Sequence, residues 1–189
     1  MNFVQPIRDV EAIVEIKNYL KDTNERDYVL FVAGINAGLH ISDLLSLRVG
    51  DVKGTHIEFL EKETGKLQRR AINNTLKKAL NEFVTGKPDG EYLFKCDQNG
   101  KRSSTGNSPM DIKMVFIMLN RVARRLGITD NIGTETLRKT FGYHLYKQQQ
   151  HSLWMMKEWF HLKSELEVLR YIGAIDDLER NKHDYVLDL

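Results

Sequence analysis

One cysteine, three prolines and almost no net charge set the first limits on this 189-residue chain. Cys96, alone, permits no internal disulfide, which suits a reducing compartment. It lies in neither a CxxC nor an HExxH context, so it reads as a small apolar side chain, and neither a metal nor a cofactor is expected. No apolar run reaches the roughly 20 residues of a bilayer span. The opening MNFVQPIRDVEAI carries acids where a secretory signal would be apolar. A cytoplasmic protein with no membrane partner is expected. Twenty-eight Lys and Arg against 26 Asp and Glu leave +2, so overall charge does not announce a nucleic-acid partner. Hydrophobic residues at 41% and charged residues at 29% exclude a disordered chain and fit a single globular domain over 1–189.

What is present is patterned. Basic residues cluster as Lys66, Arg69 and Arg70, as Arg121, Arg124 and Arg125, and as Arg138 with Lys139, while Asp176, Asp177 and Glu179 gather near the end. Such local patches are compatible with phosphate binding, although each taken singly is an ordinary solvated face. Helical spacing predicts helices over 9–22, from Glu25 to near Gly38, and a short one over ISDLLSL capped by Ser42. Residues 48–72 alternate as a small antiparallel sheet with its turn at 63–66. Further helices are expected over 75–84, from Pro109 to Leu126, from a Thr134 cap to Tyr146, over 153–160 as a buried segment, and over 164–171. Tyr92 to Phe94 reads as a short strand, and 95–108 as a loop. Trp154, Trp159 and Phe160 read as core rather than as a base-stacking platform. The fold class is mainly α with a small antiparallel β-sheet (α+β).

Four segments, GLHISDLLSLRVGDV (38–52), EKETGK (61–66), GTETLRKTFGYHLY (133–146) and WFHLKSELEVLRYIG (159–173), resemble in order and spacing the catalytic domain of the tyrosine recombinases, or phage integrases. The resemblance covers nearly the whole chain. It implies chemistry in which a tyrosine hydroxyl attacks a DNA phosphodiester and forms a 3′-phosphotyrosine. Two arginines would clamp the non-bridging oxygens, a hairpin lysine would protonate the leaving oxygen, and histidines would assist. The separate helical clamp domain that such enzymes carry ahead of this one is expected to be absent here, and the tail 174–189, with apolar Val186, Leu187 and Leu189, to serve oligomer contacts or a partner protein.

Mapped onto this chain, the resemblance retains Tyr171 at the nucleophile position and Arg138 in the HTLRKT-type box. His40 stands for the first arginine, Glu63 for the hairpin lysine, Glu135 for the leading histidine and Leu162 for the last histidine. In the FNHSS-type segment His161 falls opposite the asparagine; a slip of one residue would make it the last histidine instead, and Lys62 is an alternative hairpin lysine. Histidine lacks the bidentate fork of arginine, and a carboxylate at 135 opposes docking of a phosphodiester. An ion pair between Glu135 and Arg138 at i,i+3 is expected. The expected DNA contacts are Lys62, Lys66, Arg69, Arg70, Arg138, Lys139 and Lys163, with Arg69 and Arg70 both exposed. The leading reading is a double-stranded DNA-binding member of the family, catalytically impaired and acting as a phage or mobile-element regulator. Two others stay open: an active recombinase cutting through Tyr171, and a protein-interaction module without DNA binding.

Overall fold

A computed structural model describes residues 4–96, 107–148 and 152–175. Helix α1 (Val10–Thr23) starts behind Asp9, whose carboxylate accepts from Glu11 N at 2.9 Å, and α2 (Glu25–Ala37) starts behind Asn24. Gly38 ends α2 with φ 63, and a side chain there would run into the Phe141 ring, so both conformation and space demand glycine. The short α3 (Ile41–Leu44) and a 3₁₀ turn (Val49–Val52) lead to strands β1 (His56–Leu60) and β2 (Leu67–Ala71). These pair antiparallel, with Ile57 opposite Arg70, Glu58 opposite Arg69, and Leu60 opposite Leu67. Helices α4 (Asn74–Val84), α5 (Ile112–Arg125), α6 (Thr134–Lys147), α7 (Leu153–Phe160) and α8 (Glu165–Tyr171) complete the order.

The α+β class holds, and several local expectations change. Ser42 lies inside α3, and the cap position is His40, whose ring is engaged elsewhere. Pro109 bridges to Lys95 ahead of α5, which begins behind Asp111 because that carboxylate satisfies Lys113 N at 2.9 Å. Gly133, not Thr134, caps α6. Tyr92 makes only an isolated bridge to Arg48, so no strand forms over 92–94. Helix α7 is not buried all round: Met156 and Phe160 face inward while Trp154 stays 59% exposed. Cys96 is half-buried and free. The tail over 176–189 and most of the loop over 95–108 lie outside the described residues. No described helix is long and apolar enough to cross a membrane.

Two apolar clusters share α6. The larger takes α1, α2, α3, β1, α4 and α5, together with Leu137 from the start of α6. The smaller joins Tyr143 and Leu145 of α6 to Met156, Phe160, Val168, Leu169 and Ile172. A polar stripe on α6 holds the N-terminal segment 4–8 as a strap. Thr136 Oγ1 donates to Gln5 O (2.9 Å), Lys139 Nζ to Val4 O (2.8 Å), Ile7 N donates to Thr140 Oγ1 (2.9 Å), and the His144 ring meets Ile7 O (2.9 Å). Spacing of three and four residues puts all these side chains on one helix face.

Gly142 is where α6 touches the smaller cluster. A Cβ there would lie 2.6 Å from Ile172 Cγ2 and 2.8 Å from Phe160 Cζ. Gly142→Ala should therefore destabilise the fold by about 1–3 kcal/mol through overpacking, despite its better helix propensity. A denaturant midpoint equal to or above that of the parent would contradict this close approach.

Candidate active site

The hydroxyl of Tyr171, at the end of α8, donates to Glu135 Oε2 at 2.7 Å. Glu135 stands in the first turn of α6, where the helix dipole favours a negative charge. Its other oxygen lies 3.8 Å from His40 Nδ1, and His40 Nε2 lies 3.5 Å from Glu63 Oε2 at the hairpin turn. Four side chains from α8, α6, the α2–α3 junction and the hairpin thus form a continuous row. The adjacent His40 ring is the largest influence on Glu135; burial opposes it, Tyr171 and Arg138 add to it, and the carboxyl falls to about 2. Burial, followed by the charge and hydrogen bond of Glu135, pushes the Tyr171 hydroxyl well above the usual phenol range, against the pull of Arg138.

Arg138 lies one turn further along α6 and is 4% exposed. The expected ion pair with Glu135 does not form. Both Glu135 oxygens are turned to His40 and Tyr171, while Arg138 Nη2 donates to Trp159 O at 3.2 Å and its guanidinium lies 5.1 Å from the Phe160 ring centroid. Its buried Nε has no hydrogen-bond partner. His161 adopts φ 54, ψ 42, a left-handed backbone at the end of α7. Histidine, like asparagine, is one of the few non-glycine residues that visit this region with some frequency. The Leu162 side chain packs at the rim of the smaller cluster. The His161 ring instead reaches Glu61 Oε1 at 3.0 Å.

Glu61 is 2% exposed, and its other oxygen accepts from Thr64 Oγ1 (2.6 Å) and Gln68 Nε2 (3.3 Å). Burial alone would raise its pKa, but Thr64, His161 and Arg70 together outweigh that and lower it. Arg69 and Arg70 are not equivalent. Successive strand residues face opposite sides, so Arg69 is exposed beside Glu58 (3.2 Å), while Arg70 is half-buried over the Trp159 and Phe59 rings at 5.4 and 6.0 Å. Lys62 sends Nζ to Ser42 O at 2.8 Å, and Lys139 Nζ is held by Val4 O and lies 5.3 Å over the Tyr171 ring. Lys66 and Lys163 are exposed. Arg121 lies 3.7 Å from Asp27, on a different helix from the site. Among the described residues no group of three His, Cys, Asp or Glu side chains is placed to hold a metal.

Sequence reading found Tyr171, Glu135, His40, Glu63 and Arg138 but missed how they pair, and it missed Glu61 entirely. Strand alternation could have separated Arg69 from Arg70. Nothing in the sequence marked the contact between Glu61 and His161, 100 residues apart. Chemically, the row positions a phenol against a carboxylate of low basicity. Such an acceptor orients the hydroxyl without taking its proton.

A family model described as the phage integrase family matches residues 7–164. The chain is 38% identical over 181 residues to a probable integrase/recombinase, YoeC, of Bacillus subtilis, covering 95% of each. Its fold is that of a tyrosine recombinase catalytic domain. The XerA recombinase matches at TM-score 0.71 and 14% identity, over 97% of this chain and 67% of that one. A lambda integrase dimer bound to a COC′ core site matches at TM-score 0.66 and 14% identity, over all of this chain. The chain spans 64% of that integrase chain's length.

Glu135→Gln should lower the pH at which Tyr171 ionises, because it removes a negative neighbour while burial still keeps the phenol high. Ultraviolet difference titration against Tyr171→Phe reads this directly, and an unchanged midpoint would break the link. The sign for stability follows from the depressed carboxyl. Glu135 stabilises the fold above its usual range, and that contribution fades as pH falls from 4.5 toward about 2. The acid unfolding curve of Glu135→Gln should lose that component.

Proposed function

Because the chain belongs to the phage integrase family, we propose that it binds duplex DNA through the family's catalytic-domain surface while Tyr171 is withheld from strand transfer. A protein of this kind regulates a phage or mobile element by occupying sites rather than by recombining them. The observation that carries the reading is the hydrogen bond from Tyr171 to Glu135. A nucleophilic phenol must shed its proton as it attacks, and here the nearest acceptor is a carboxylate held at about 2.

Glu135 also repels the substrate. Two like charges about 4 Å apart cost roughly 4 kcal/mol at an effective dielectric near 20. Glu63 adds a second carboxylate at the hairpin turn, and Lys62, the alternative general acid, is turned to the Ser42 carbonyl. Loss of one transition-state donor typically costs about 10²–10³ in rate, and loss of a general acid roughly 10²–10⁴. Such losses are not additive, but together they leave little of a slow phosphoryl transfer. The DNA half of the reading is supported by exposed Lys66, Arg69 and Lys163 around the hairpin and α7–α8 turn, and by the DNA held by the similar lambda integrase. An active recombinase is the second reading, favoured by Arg138 lying within electrostatic reach of Tyr171.

A nicked suicide substrate separates the two. No protein–DNA adduct should form with the parent chain, whereas an adduct that vanishes in Tyr171→Phe would establish the recombinase. Gel-shift titration over salt checks binding itself. Lys66→Ala should weaken affinity for all sequences and flatten the salt slope by about one unit. Complete absence of salt-sensitive binding would leave a protein-interaction module as the surviving reading.

A further inference from the structure

Residue 40 carries no guanidinium in this chain, yet a second guanidinium lies within electrostatic reach of Arg138. It belongs to Arg70, which the register places opposite buried Ile57 and so on the inward face of the hairpin. Arg70 lies 5.4 Å from the Trp159 ring centroid, and Arg138 donates to the carbonyl of the same Trp159. The two cations approach the α7 end from different elements, β2 and α6. Burial, partly offset by Glu61 and reinforced by Arg138, makes the Arg70 charge harder to hold than that of a free arginine.

Arg138 keeps a buried Nε without a hydrogen-bond partner, and a second cation within its electrostatic reach leaves the spot open to an anion. Arg70 faces the carboxylate of Glu61, whose oxygens already accept from His161, Thr64 and Gln68, and Arg138 faces that of Glu135, whose oxygens are taken by Tyr171 and His40. Arg70 itself has only weak local acceptors, Gln68 Oε1 at 3.5 Å and Arg69 O at 3.1 Å. On the other side of Arg138, beside Tyr171, stand Glu135 and Glu63, which repel an anion. We propose that Arg70 and Arg138 form a seat for one phosphate group, displaced from the Tyr171 hydroxyl toward the Trp159–Phe160 turn. Arg70 thereby takes the anion-binding part that His40 cannot play. On the DNA reading above, from which this takes its source of phosphate, the group is a backbone phosphate held out of reach of the tyrosine.

Trp159 reports on the seat because Arg70 stacks against it. In a Trp154→Phe background, inorganic phosphate titrated at constant ionic strength should change Trp159 fluorescence saturably. Arg70→Gln should weaken that response about tenfold or abolish it, as expected for a lost charge-assisted contact. Arg124→Gln, at the exposed end of α5, should leave it unchanged. Arg70→Lys keeps the stem and charge but not the fork, and should fall between them while folding normally by circular dichroism. Arg70→Gln should also weaken duplex binding about tenfold at moderate salt. Phosphate binding lost in Arg70→Gln without any duplex binding by the parent would uphold the seat and defeat the DNA reading. Duplex binding unaltered in Arg70→Gln and Arg70→Lys, or a phosphate response that survives both, would overturn the seat while leaving the DNA reading intact.

Discussion

The carboxylate of Glu135 is the point at which four separate parts of the chain are tied. Its two oxygens serve different partners, the Tyr171 hydroxyl on one side and the His40 ring on the other, and His40 carries the connection on to Glu63. The start of α6, the end of α8, the entrance to α3 and the hairpin turn therefore depend on one side chain for their relative polar arrangement. Arg138 follows from the same constraint. With both oxygens of Glu135 engaged, the guanidinium i+3 along the helix finds its acceptor in a backbone carbonyl across the groove, at Trp159. Arg138 is thus braced from behind and left with an unfilled donor.

Charge is sorted about this arginine. Toward the tyrosine lie Glu135 and Glu63 with His40 between them; toward the hairpin lie Arg70 and His161, with Glu61 satisfied among hydroxyl, amide and imidazole donors. Residues that look unrelated in the sequence are complementary in space. A histidine at 40 has two acids to face, and an acid at 135 has a histidine and a phenol. Mutual satisfaction of this kind is what a folded interior requires of any polar residue it keeps. It gives the row from Glu63 to Tyr171 a stable arrangement of its own.

Much of this was legible from residue order. Helix periodicity, the glycine at 38 and the paired strands follow from local physics that needs no partner to be known, and the four family-like segments were carried by resemblance. Elsewhere the deciding interaction was remote in the chain. Ser42 looked like a cap because its neighbours suit one, but residues 40–44 are placed by the hairpin and α6. Glu135 and Arg138 have ideal spacing for a pair, yet residues 36 and 21 positions away along the chain outbid the local partner. Helix α7 looked buried because its composition is apolar, although only one of its faces has a core to meet. The strap over residues 4–8 was invisible because its partners on α6 are threonines, a lysine and a histidine, which single out no particular segment.

The division of the interior into two apolar clusters has a consequence for motion. Tyr171, Phe160 and Trp159 belong to the smaller cluster, whereas His40, the hairpin and the first turn of α6 are anchored on the larger one. The row from Glu63 to Tyr171 is therefore a bond across a seam. Regions with separate cores open as separate cooperative units, at free energies below that of global unfolding. Partial opening of the α7–α8 unit would carry the tyrosine away from its carboxylate while the hairpin and the long helices stayed folded. Amide exchange in α8 would then be faster than in α2, and the environment of the Tyr171 hydroxyl would be set by an equilibrium between docked and undocked forms of seven helical residues.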